Sequence, residues 1–300
     1  TLFFKKGSEI NKKIIKDLLA QGHVKLFVTH EEKEILTEKQ QENLRNNTRS
    51  LSIGDALEKG KLQMNLMTIH MEFLYQNPTD DEALHLQYQS ARNFASFLLN
   101  DLSIHHKLYQ EYIKQKHHFI FAQPMISSLF LIGALKLSKL FSEKEMESLF
   151  VTSYFKDIGM SAIPTEKYDE KHLSDDDKVL LSNHARHSVE ILSGRISLTP
   201  NHLKIIENHH AFSLLKKELN QEPAIEIHDQ EGENTLLSGT ETIMICAMDI
   251  IAAMITGRPF RDATKLFDAL DLVRLLMADD YPQEFRVMVN YFKQFKGSEA

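Results

Sequence analysis

Ile243-Met-Ile-Cys-Ala-Met-Asp249-Ile-Ile-Ala-Ala-Met-Ile255 reads as an apolar helix carrying one carboxylate, and Gly257 stops it. Burying an unpaired charge costs several kcal/mol at least, so Asp249 requires a cation, a metal or a strong donor set. Working outward from this stretch, the candidate company lies upstream: Asp157, His184 and the adjacent pair His209-His210.

The 300 residues are enough for two compact domains, and 42% hydrophobic with 26% charged residues describes an ordinary packed protein. A net charge of -7 argues against a nucleic-acid backbone as the main ligand, although a small anion needs only two or three well-placed cations. Cys246 is the single cysteine, which excludes an intrachain disulfide and fits a reducing compartment. The apolar run from Met125 to Leu137 is short for a bilayer and contains Ser127, Ser128 and Lys136, so it reads as a buried helix with no membrane role. The first residues lack an apolar core of signal-peptide length, and a cytoplasmic location is the default expectation.

Three segments follow from the patterning. Residues 1–50 read as a small α/β module, with short strands at Leu2 to Phe4 and His23 to Thr29 around an amphipathic helix from Glu9 to Ala20. Residues 51–118 read as connecting helices. Their stripe Leu62, Leu66, Ile69, Phe73 and Leu74 suits packing on the main domain, or pairing of two chains. Residues 119–300 read as a helical metal-binding domain, and the fold class is mainly α. Helix starts are marked by Thr79 with Glu82, Ser142 with Glu145, Ser174 before three aspartates, and Thr199-Pro200. Glu218 to Thr240 reads as a long loop.

Placed on these helices, the candidates face inward. A helix over Asn201 to Leu215 puts His209 and His210 on the face of Ile205 and Ile206. Leu180, His184, Ser188 and Ile191 share a stripe, and Asp157 follows the apolar helix end Phe150 to Phe155, which Gly159 terminates. A lone inward histidine is more often a hydrogen-bonded core residue, which is the reading for His172, His187 and His202. The order Asp157, His184, His209-His210, Asp249 is far more specific, and such nitrogen and oxygen donors suit iron, manganese or zinc.

Phe155-Lys-Asp-Ile-Gly159, Asn-His184-Ala-Arg-His-Ser, His209-His210, Asp249 and Arg258-Pro-Phe-Arg261 together resemble the landmarks of the HD-GYP family, over about residues 120 to 295. That resemblance implies an all-helical HD-type bundle and a metal-dependent cyclic-di-GMP phosphodiesterase of bacterial signalling. It further implies one or two divalent transition metals, iron first, on Asp157, His184, His209, His210 and Asp249. Arg258 and Arg261 fall where the family grips phosphate, a task suited to bidentate guanidinium groups. As helix caps they would instead bond the last carbonyls of the Asp249 helix. Phe260 in the family's tyrosine position is expected to preserve packing.

The departures are as informative. Lys156 stands in place of the histidine of the family's His-Asp pair, Met160 in place of a lysine, and Ala211 in place of a glutamate, while no Gly-Tyr-Pro follows. An earlier family histidine aligns near Pro124, with His117 and His118 the nearest substitutes. Lys156 is thus a candidate charge substitute at a second metal position, pairing with Asp157 or Asp249. Two readings follow: a phosphodiesterase of weak or lost activity, or a degenerate module that binds a cyclic dinucleotide or a protein partner, the latter through the N-terminal segment.

Overall fold

The computed structural model describes residues 7–21, 29–170, 172–210 and 239–295. Two compact units are present, residues 1–39 and 40–300, and the division falls inside one helix. In the first unit, α1 (Lys12–Ala20) starts where the Asn11 side chain accepts from the Lys13 and Ile14 amides at 3.0 Å. α2 (His30–Arg49) starts at a reciprocal cap, Thr29 Oγ1 accepting from the Glu32 amide and Glu32 accepting from that of Thr29. The α/β character expected of this segment is corrected: what is described of it is helix, and there is no strand among the described residues. The expected strand over 2–4 lies outside those residues, as does that over 23–29 apart from Thr29, which caps α2.

The second unit holds α3 (Ala56–Gln76), α4 (Asp81–Asn100), α5 (His105–Ile113), α6 (Phe119–Ser138), α7 (Glu143–Phe155), α8 (Asp175–Ser182), α9 (His184–Leu192), α10 (Pro200–Glu207), α11 (Thr240–Ile255), α12 (Leu266–Met277) and α13 (Pro282–Phe292). Helices α3 to α5 pack within the same unit as the rest. From the stripe on α3, Leu66 and Leu74 enter the core, whereas Leu62 stays exposed.

Helix α6 organises this unit because it is apolar on every side, and only burial on every side satisfies such a helix. It packs against α7, α11, α13, α4, α3 and α5, and Phe130, Leu131 and Ile132 are inaccessible to solvent. At 20 residues it is longer than the apolar run suggests and passes the length and composition test for crossing a membrane, yet it lies mostly inside the core. Helix α11, carrying Asp249, packs against α6 and α12.

Capping follows the sequence with one exception. Ser142–Glu145 forms the full capping box, and Ser174 and Thr199 cap α8 and α10. For α4 the cap is Asp80, accepting from the Ala83 amide, rather than Thr79, and Glu82 instead pairs with Arg45 at 2.8 Å. A carboxylate one residue nearer the helix satisfies the amide and the helix dipole together.

Two buried histidines tie the helices together in neutral form. His70 Nδ1 lies 2.7 Å from the Gln87 amide oxygen, and Gln87 in turn donates to the Met67 carbonyl and the Tyr154 hydroxyl. His105 joins the Leu98 carbonyl (3.0 Å) to the Tyr291 hydroxyl (3.1 Å). Burial pushes both imidazoles down, to about 4 from an ordinary 6.5. Their contribution to stability is therefore complete above pH 6.5 and is lost as the pH falls towards 4, because the unfolded chain takes the protons first. Each group accounts for on the order of 3 kcal/mol over that window. His105→Gln is predicted to flatten the fall in unfolding free energy between pH 6.5 and 4, as measured by denaturant titration at stepped pH. An unchanged slope would contradict the assignment.

Candidate metal centre

The chain leaves α7 at Phe155, and the next two residues turn inward, so that Lys156 is inaccessible and Asp157 almost so. The turn is pinned by the Tyr75 hydroxyl, which donates to the Asp157 carbonyl at 2.8 Å. The segment then tightens into a 3-10 turn, Ile158–Ala162, in which Gly159 lies against the start of α9. A Cβ at Gly159 would collide with the His184 carbonyl oxygen and the Ser188 nitrogen, so glycine here serves close approach rather than helix termination. The contact is closed by the Gly159 amide donating to Ser188 Oγ (2.8 Å), which donates onward to the His184 carbonyl (2.9 Å).

His184 does not sit on a continuous stripe with Leu180. The helix breaks at Asn183, Leu180 faces outward, and His184 opens a new helix with its ring buried. His209 and His210 likewise do not continue a helix. Helix α10 stops at Glu207, and the two histidines fall in the turn beyond it. The stops have a local cause: Asn183 and Asn208 both leave helical geometry while their side-chain amides bond carbonyls four residues back.

These turns aim four ligand atoms at one point. His209 Nε2 lies 3.0 Å and His184 Nε2 3.5 Å from Asp157 Oδ1, His184 and His209 face each other at 3.4 Å, and His210 Nε2 is 3.0 Å from His184 Nε2. All four atoms lie within 4.8 Å of one another. Ligand atoms about 2.0–2.1 Å from one tetrahedral ion lie roughly 3.3 Å apart. His184 and His209 each donate Nδ1–H to a backbone carbonyl, Leu181 and Ile206 respectively, at 2.6 Å. That fixes the tautomer, so two Nε2 lone pairs confront each other, an arrangement that needs a cation between them. Burial holds His210 well below its ordinary range, which keeps it neutral and able to ligate. The donor set fits one divalent transition metal.

Asp249 is not among these four. Its Oδ1 accepts from Lys156 Nζ at 2.6 Å, and Lys156 also pairs with Asp157 Oδ2. Burial works to raise the Asp157 carboxyl, but the Lys156 ammonium against it outweighs burial and holds it well below its usual range. Burial likewise works to lower the Lys156 ammonium, and the two carboxylates raise it instead, so the lysine is charged. Gln123 on α6 donates to Asp249 at 3.0 Å and accepts from Arg258 at 2.9 Å.

The two arginines part ways. Arg261 bonds the carbonyls of Ala253 (2.5 Å) and Met254 (3.1 Å) at the end of α11. Arg258 stacks over Phe119, 5.3 Å from the ring centre, and lines a cleft of about 500 Å³ that also takes in Asp157, His184, His210 and Gln123. Phe260 is corrected: it is 55% exposed and lines the same cleft, because a one-residue bridge between Arg258 and Arg261 puts it at the tip of a tight turn. Pro124, Met160 and Tyr168 line the cleft as well. His118 caps α6 and pairs with Asp169, and His117 packs on Tyr112, so neither joins the four ligands. Ala211 lies outside the described residues.

Sequence reasoning missed Gln123, Tyr75 and the steric role of Gly159. Gln123 carried a usable signal, being the single amide between Phe119 and Leu135.

Among solved structures, the chain is similar to Bd1817, a HDG"Y"P protein from Bdellovibrio bacteriovorus, with a TM-score of 0.59 and 12% identity over 88% of this chain and 81% of that one. At that identity the shared property is the fold, an all-helical bundle. No family model and no curated protein matches the chain.

Gly159→Ala is predicted to push α9 and its histidine away from Asp157. The expected losses are about 1–3 kcal/mol of stability and at least roughly tenfold in metal affinity, read by denaturant unfolding and by metal titration. Unchanged affinity would contradict the role given to this close approach.

Proposed function

We propose that the protein is an HD-type metal protein of cyclic-di-GMP signalling that binds the dinucleotide, or a related small phosphodiester, in the cleft beside Asp157 and turns it over slowly if at all. The observation that carries this reading is the convergence of three imidazole nitrogens and one carboxylate oxygen beside a cleft lined by Arg258.

The residues divide the work. Asp157, His184, His209 and His210 would hold one divalent transition metal, with iron the first expectation and manganese or zinc the alternatives. Bound there, it would supply Lewis acidity towards a phosphoryl oxygen and acidify water. Arg258 would meet phosphate, a role supported by its guanidinium being held by Gln123 and Phe119 and by a buried Nε with no hydrogen-bond partner. Tyr168, Phe119 and Phe260 give the cleft flat apolar surface for the rest of such a ligand.

Slow turnover follows from what faces the reaction. Met160 lines the cleft where the family resemblance expects a cationic side chain, and the Lys156 charge is inaccessible and spent on two carboxylates. Charge stabilisation at a phosphoryl centre carries much of catalysis, and losing one such group typically costs about 10²–10³ in rate. Arg261 has its guanidinium on helix carbonyls, which leaves phosphate recognition to Arg258.

Metal-loaded protein incubated with cyclic-di-GMP, with an aryl phosphodiester as control, tests the reading by calorimetry and product analysis. Metal-dependent binding is expected, weakened at least tenfold by Arg258→Ala and abolished by His209→Ala or Asp157→Ala. Turnover, where detected, should vanish in the last two variants. Absence of both binding and turnover in the metal-loaded protein would refute the proposal.

A further inference from the structure

Asp157 divides its carboxylate. Oδ1 faces the three histidines, and Oδ2 faces the Lys156 ammonium, which simultaneously holds Asp249 Oδ1 at 2.6 Å. Gln123 closes the far side by donating to that same Asp249 oxygen. The ammonium is wholly inaccessible, so it does not touch a ligand in the cleft. It sits between two oxygens of two buried carboxylates, a position in which any small cation would be held.

We infer that Lys156 is the resident second cation of this centre: it permanently occupies a latent divalent-metal position between Asp157 and Asp249 and limits the protein to one metal ion. The inference rests on the proposed metal site at the histidines and extends it. Charge and space both support exclusion. Two carboxylates neutralise one ammonium and leave a net negative charge facing the histidine site. A divalent ion about 2.0–2.2 Å from both oxygens would have to sit in the volume that Nζ fills. Asp249 thus belongs to the lysine and not to the histidine-bound metal. A lysine is covalently attached and cannot be stripped by a chelator, so half of the cation complement survives metal starvation.

Manganese(II) is the probe, because its count is read by elemental analysis after desalting and a close pair by electron paramagnetic resonance. The wild-type chain is expected to hold one manganese with an uncoupled spectrum. Lys156→Ala vacates the position and is expected to hold two, with the spin-coupled signal of ions about 3.5–4 Å apart. Compared with the wild type under the same conditions, its melting temperature should be lower in chelator and match in manganese, whereas Lys156→Met, which fills the space without charge, should stay lower in both. Should Lys156→Ala prove insoluble, Asp249→Asn decides: it is expected to keep the wild-type count of one. Two ions in the wild type, no gain in Lys156→Ala, or loss of the ion in Asp249→Asn would each overturn the inference. A wild type with no manganese and a Lys156→Ala with one would sink the histidine site while leaving the role of Lys156 standing.

Discussion

The buried ammonium of Lys156 between Asp157 and Asp249 is the constraint on which the site depends. A lysine with no solvent access must be compensated fully, and removing one member of such a group typically costs about 3–5 kcal/mol because the remaining charge is left uncompensated. The ion triad therefore fixes the end of α7 against the middle of α11, two helices otherwise joined through their shared neighbour α6. It also decides which oxygen of Asp157 is left for the histidines. Gln123 and Arg258 extend the same chain of contacts into the cleft, so Arg258 is tied through three side chains, Gln123, Asp249 and Lys156, to the Asp157 carboxylate.

The remaining precision comes from chain breaks. His184 starts a helix, while His209 and His210 follow one, and in each case an asparagine has just ended the preceding helix. Backbone carbonyls exposed at those breaks accept the Nδ1–H groups of His184 and His209, which orients the rings and directs Nε2 to the centre. A helix end is well suited to this task, since its last carbonyls have no partner within the helix. Gly159 then allows the His184 helix to approach the Asp157 turn closely enough for the imidazole to reach.

Much of this was legible in the sequence. The helical class, the buried α6, the caps at Ser142, Ser174 and Thr199, and the conjunction of Asp157 with three histidines all follow from local patterns of charge and hydrophobicity. Periodicity failed where it assumed continuity: Leu180 with His184, and Ile205 with His209, are separated by breaks that an asparagine side chain makes by competing for carbonyls. The resemblance failed at Phe260, which stands in the family's tyrosine position but is exposed at the tip of a two-residue turn. Asp249 was correctly read as a carboxylate in need of a cation. Whether a lysine or a metal supplied it depended on the fold bringing α7 against α11, which no local pattern specifies. Arg258 and Arg261, three residues apart, looked equivalent until one was found on helix carbonyls and the other in the cleft.

The central claim is a single metal at the histidines with an ammonium as its fixed companion. X-ray absorption at the metal edge of the loaded wild-type protein tests it most directly. The account predicts a nitrogen and oxygen shell at about 2.0–2.2 Å with outer-shell scattering from three imidazoles, and no metal–metal vector. A metal–metal distance of about 3.5–4 Å, or a shell without imidazole, would contradict it.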